Sequence, residues 1–160
     1  MPRPSMAAQR TEEILDALER CILQGSLDGT SLEQLAEEAK VKRSILRHYI
    51  GNRDDIVCAL SSRYRKHYSA QWEQVMTWLP STNRVQALLD MLFDERNQDY
   101  INRVIVSQAL FAQAKRLEQV RDDQFAATDE SLAVIENELK REYPDADGNH
   151  IELVTRGILS

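Results

Sequence analysis

The chain has 160 residues, 42% of them hydrophobic, with few Gly and Pro and a net charge of −6. That length allows one well-buried domain or a small head on a larger body, and the composition favours an all-helical globular protein. No window approaches the roughly 18 uninterrupted apolar residues of a membrane span and no leader-like segment opens the chain, so a cytoplasmic location without membrane contact is expected.

Residues 1–9 read as a flexible arm. The first predicted helix runs from about Arg10 to Gln24, with Ile14, Leu15, Leu18, Cys21 and Ile22 at helical spacing, and stops at Gly25. The second opens at Thr30, where Thr30 and Glu33 fit a capping box, and buries Leu32, Leu35, Ala36 and Ala39. The third is short, about Lys42–Tyr49. Its apolar side is Val41, Ile45, Leu46 and Tyr49; Lys42, Arg43, Ser44, Arg47 and His48 are left outside.

Asn52 is a good N-cap for a long fourth helix with Asp54 and Asp55 in its first turn. Ile56, Leu60, Tyr64, Tyr68, Trp72, Val75 and Leu79 follow steps of three or four until Pro80. Further helices are predicted over about Asn83–Glu95, Asp99–Ala114 and Leu117–Tyr143, the last about 40 Å long. The apolar residues expected inside are Ile101, Val104, Ile105, Leu110 and Phe111 in the sixth, and Val120, Phe125, Leu132, Ile135 and Leu139 in the seventh. After a Pro144–Asn149 loop an apolar helix starts at His150 and the sequence stops, as though the gene product were longer.

The charge is unevenly shared. Residues 1–66 carry a balance of +1 and residues 67–160 one of −7. Between Lys40 and Arg53 there are five Lys or Arg residues and no acid. A basic run is ordinarily a solvated face. Here it lies on the outer side of a helix-turn-helix, whose second helix fits the major groove, so double-stranded DNA is the expected partner.

The motif Thr30-Ser31, Leu35-Ala36, Ala39-Lys40-Val41-Lys42, Ser44-Ile45-Leu46-Arg47-His48-Tyr49-Ile50 and Arg53-Asp54 before Ile56 resembles, without a gap, that of the TetR family of bacterial transcriptional regulators. The resemblance implies an all-α fold. A head of residues 1–54 would be joined by the long fourth helix to a ligand-binding and dimerising body of residues 55–160. It also implies a repressor that binds a palindromic operator as a homodimer and is released by a small-molecule effector. Thr30, Ser31, Lys42, Arg43, Ser44, Arg47, His48, Tyr49 and Arg53 would then meet DNA. Trp72, Met91, Phe93, Tyr100, Val104, Gln108 and Phe111 are candidates for the effector site, although each such residue taken singly is more often plain core.

Lys40 stands where the family has its turn glycine. In a left-handed conformation it would cost about 1 kcal/mol. Lys42 stands where a serine caps the third helix, at a similar cost of about 1 kcal/mol. Arg47 replaces a tyrosine that contacts phosphate, and Arg53 a lysine.

Other chemistry is poorly supplied. His48, His67 and His150 are far apart, without partners at metal spacing, so no metal or cofactor is expected. No nucleophile–base pair or phosphate-cradling loop is present, which argues against an enzyme. Asp54-Asp55 and Asp122-Asp123 read as exposed helix residues, and the charges of Arg63-Tyr64-Arg65-Lys66-His67-Tyr68 as solvated. Cys21 and Cys58 are expected reduced and buried. The competing reading is a helical interaction or adaptor protein that has lost specific DNA binding.

Overall fold

The computed structural model describes residues 5–93 and 98–159. The predicted residues 1–4 of the arm and the end of the fifth predicted helix at 94–95 lie outside them. Among the described residues the secondary structure is all helical: α1 Met6–Gln24, α2 Leu32–Glu38, α3 Arg43–Tyr49, α4 Arg53–Trp78, α5 Arg84–Phe93, α6 Gln98–Phe111, α7 Glu118–Glu142 and α8 Gly148–Leu159. None of these helices is long and apolar enough to cross a membrane.

The chain divides into two compact units, Met1–Tyr64 with Asn97–Gln124, and Arg65–Arg96 with Phe125–Ser160. Helices α4 and α7 each run through both. The division therefore groups α6 with the helix-turn-helix, whereas the sequence reading assigned it to the body.

In the first unit α1 packs against α2, α3 and α6. Burying Ile14, Leu15, Leu18, Ile22, Leu35, Leu46, Ile56 and Leu60 removes the apolar stripes of four helices from water. Helix α1 starts four residues before its expected position because Ser5 caps it, its Oγ accepting the Ala8 amide at 3.1 Å. That takes Met6 to Gln9 out of the expected arm. On α6 the expected stripe holds in part: Leu110 is buried and Val104 half-buried, whereas Ile101, Ile105 and Phe111 face solvent and Val106 is buried in their place. Gln113, just past the helix, is buried as well.

Ion pairs bind the helices further. Arg63 of α4 reaches Glu12 at 3.0 Å, Asp16 at 2.7 Å and also Glu19, all on α1. The sequence reading left this arginine solvated; the i, i+4 and i+7 spacing of the three acids puts them on one face of α1, where a single guanidinium reaches them all. Burial acts to lower the Arg63 pKa, but the hydrogen bonds to Glu12 and Asp16 and the charge of Glu19 outweigh it and raise it. Asp123, expected on the surface, is buried and accepts the Ser62 hydroxyl at 3.0 Å. Beside them Ser61 is fully buried, and among the described residues its hydroxyl has no hydrogen-bond partner.

The second unit is built on Val75, Val85, Leu88, Ile135, Leu139 and Ile151, with Trp72, Leu79, Leu89, Leu92 and Ile158 packed around them. One ion pair is enclosed there. Arg84 donates from Nε to Glu138 at 2.6 Å and from Nη2 at 3.2 Å, with side chains 11% and 5% exposed. Phe125, expected inside, is 60% exposed.

Candidate nucleic-acid interface

Helix α2 begins one residue later than predicted. Ser31 is the cap: its hydroxyl oxygen accepts the Gln34 amide at 3.1 Å, and Gln34 Oε1 accepts the Ser31 amide at 2.8 Å. The capping box is therefore Ser31–Gln34 and not Thr30–Glu33. Thr30 is buried, and its hydroxyl donates to the Ser26 carbonyl at 2.7 Å. It fixes the entry loop of α2 from inside.

The turn after α2 is a Schellman closure. The Lys40 amide reaches the Glu37 carbonyl at 3.0 Å and the Val41 amide reaches the Ala36 carbonyl at 2.9 Å. Lys40 sits at the position that favours glycine, with φ of 55°, so the expected left-handed strain is present. Lys42 then caps α3 with backbone alone; no side-chain cap bond is made. Helix α3 ends on Gly51, whose φ of 113° suits glycine, and Asn52 opens α4. Asn52 Oδ1 accepts the Asp54 and Asp55 amides at 2.8 and 3.1 Å, while Asp55 accepts the Asn52 amide at 2.8 Å.

Two short helices are thus pinned at each end, and α3 buries Leu46 while presenting Arg43, Ser44, Arg47 and His48 to solvent. Lys42 is exposed beside them and Tyr49 is half-buried, its ring edge-on to that of His48 at 5.0 Å. A groove of about 440 Å³ lies between α2 and the end of α3, with Leu32, Arg43, Arg47 and Asn52 in its walls. Arg43 carries an ion pair to Glu33 of α2, a partner that the sequence reading did not foresee.

Arg53 departs from expectation. Its guanidinium donates to the carbonyls of Thr30 and Leu27. The positive fork tethers the entry loop of α2 to the start of α4. Two further contacts hold the same region. Gln113 Nε2, buried, donates to Asp28 at 3.0 Å, and Arg116 Nη1 donates to Asp54 at 2.7 and 2.8 Å.

The candidate effector residues do not assemble within one unit. Trp72, Met91 and Phe93 belong to the second; Tyr100, Val104, Gln108 and Phe111 belong to the first. Trp72 packs on the second core and donates its indole N–H to Ser131 Oγ at 2.9 Å. Met91, Phe93, Tyr100, Gln108 and Phe111 are exposed and Val104 half-buried. Cys21 and Cys58 are free thiols, partly and not fully buried. Among the described residues no group of three or more His, Cys, Asp or Glu could hold a metal.

Among the described residues the chain is α1, then a helix-turn-helix of α2 and α3, then five further helices. No family model matches the chain. The helix-turn-helix transcriptional regulator BetI of Burkholderia ambifaria is 28% identical over 97 residues, 59% of this chain and 50% of that protein. The chain thus spans about half the length of this curated relative. A TetR transcription regulator from Haloarcula marismortui superposes with a TM-score of 0.78 at 19% identity, covering 94% of this chain and 80% of that one. The multidrug binding protein EbrR, in complex with imidazole, gives 0.63 at 16% identity, covering 99% and 96%. The chain therefore shares the all-helical fold of these two proteins. These relatives are named as regulators and a binding protein, none of them as an enzyme.

Proposed function

We propose that this protein is a cytoplasmic transcriptional regulator that binds double-stranded DNA through α3. The observation that carries the reading is the outward row Lys42, Arg43, Ser44, Arg47 and His48 on a helix whose opposite side buries Leu46. An acidic chain whose Lys40–Arg53 segment carries five cations and no acid offers phosphate contacts there and base contacts next to them. Ser31 and Tyr49 complete the proposed contact set at its edges.

The finer reading is a repressor acting as a homodimer on a palindromic operator, with half-sites about 34 Å apart. A small molecule bound in the body would favour a state in which the two heads no longer match both half-sites. EbrR, bound to imidazole, lends support to ligand binding on this fold. The contacts of Gln113 with Asp28 and of Arg116 with Asp54 give such a signal a physical route, since they join the α6–α7 turn to the loop before α2 and to the head of α4.

Selection from random duplex DNA, followed by titration of the winning sequence at several salt concentrations, tests the reading. An inverted repeat bound far more tightly than random DNA, and bound more weakly by Arg47→Ala, supports it. The uncapped start of α3 favours the adaptor reading as the second choice. That reading predicts no enriched sequence and only weak binding that salt erases.

A further inference from the structure

Four cations stand on or beside the outer face of the motif: Lys40, Lys42, Arg43 and Arg47, all exposed. Among the described residues Arg43 alone of these carries an ion pair, to Glu33 on the preceding helix. Both side chains are about two-thirds exposed, at 65% and 63%, so the pair adds little to stability. Its geometry says more than its energy. Glu33 takes Nη1 of the guanidinium. The Nε–Nη2 edge is left, and that edge matches the paired O6 and N7 acceptors of guanine in the major groove. Arg43 is also the first residue of α3, the end of a recognition helix that meets base edges.

The carboxylate has a second effect. An arginine already neutralised by Glu33 gains less from a phosphate, because fewer counterions are released when it binds there. Lys40, Lys42 and Arg47 keep their full charge for the backbone. The two kinds of contact are thereby assigned to different residues.

We propose that Glu33 is a positioning residue for sequence readout. It holds Arg43 for a guanine in each operator half-site and discourages it from settling on phosphate. The proposal rests on the DNA-binding reading and names the chemistry that reading would recognise.

The test compares the wild type, Glu33→Gln, Arg43→Lys and Arg47→Ala in the same selection and salt titration, with helicity checked by circular dichroism. The wild type is expected to require a G·C pair at one position of the half-site. Arg43→Lys keeps the charge but not the fork, so that preference falls about tenfold or more while the salt slope holds. Glu33→Gln flattens the same preference, tightens binding to random duplex and steepens the salt slope by about one. Arg47→Ala weakens all sequences alike. Retention of the full guanine preference by Glu33→Gln, or equal losses on all sequences for Arg43→Lys, overturns the assignment while leaving DNA binding intact. A wild type that enriches no motif removes the regulator reading itself, and the proposal with it.

Discussion

Asp54 and Arg116, 62 residues apart in sequence, meet at 2.7 and 2.8 Å through both carboxylate oxygens. The next residue back, Arg53, holds the carbonyls of Leu27 and Thr30. Two consecutive residues at the head of α4 therefore face two tasks: one is gripped by the α6–α7 turn, the other grips the loop before α2. The Asp54–Arg116 pair is about half exposed, so solvent screening keeps its share of stability small. A double-mutant cycle of Arg116→Ala and Asp54→Asn should give a coupling of about 0.5 kcal/mol in urea unfolding. Operator affinity should fall about threefold in Arg116→Ala if the turn steadies the head. Unchanged affinity would leave the pair as a surface contact only.

Arg53→Gln separates bracing from DNA contact. Losing charge-assisted bonds to two carbonyls should cost about 2 kcal/mol of stability. The salt slope of DNA binding should stay as it was, because this arginine is engaged inside the protein. A slope reduced by about one with stability intact would return Arg53 to the phosphate-contacting set.

Lys40 and Lys42 give the opposite pattern. Lys40→Gly should relieve the positive φ and stabilise the protein by about 1 kcal/mol. Lys42→Ser should add a side-chain cap worth about 1 kcal/mol. Each should also lower the salt slope of DNA binding by about one, since each removes an exposed cation beside the groove-facing helix. Denaturant midpoints and salt titrations of the two variants check both halves.

In the second unit, Arg84→Met leaves the Glu138 carboxylate enclosed without its partner. The expected loss is about 3 kcal/mol. The Arg84 pKa is raised, chiefly by its hydrogen bond to Glu138, with burial opposing, so the guanidinium stays charged throughout the working range. Arg84→Met with Glu138→Leu should recover much of the loss, read as a return of the thermal midpoint.

Both thiols are pushed above the ordinary cysteine range, each first by burial. Glu38 adds to the shift at Cys21, and Asp54, Asp55 and Asp123 add to it at Cys58. A raised pKa leaves less thiolate at any given pH. Alkylation by iodoacetamide should therefore be slower than for an unstructured cysteine peptide at neutral pH. The rate should also climb at a higher pH than the peptide's does. A midpoint at or below that of the peptide would contradict the assignment.

Most of the architecture was legible in local pattern. The stripe from Ile56 to Leu79, the Asn52 cap and the outward face of α3 all depend on residues within a few positions of each other, which sequence displays directly. The start of α2 shows where that stops. Thr30–Glu33 and Ser31–Gln34 both satisfy a capping pattern, and the choice is made by burial of Thr30 beneath a loop that Arg53 ties down. The phase of α6 is legible only in part. Leu110 is inside as expected, but Ile101 and Ile105 are equally good apolar candidates and face solvent, while Val106 and the polar Gln113 beyond the helix are buried. Arg63, Asp123, Gln113 and Arg116 find partners 44 to 85 residues away, and no window of the chain carries that information. The effector candidates share only their residue type, which says nothing of direction.

Ser61 has a practical consequence. A hydroxyl with no partner in a fully buried position lowers stability without serving any contact on the DNA face. Alanine there keeps the helix and removes the unmet polar atom, so the substitution should harden the protein while the recognition surface stays as it is. The chain thus contains its own control: a background in which damaging variants of α3 can be studied folded, so that lost recognition is never mistaken for lost structure.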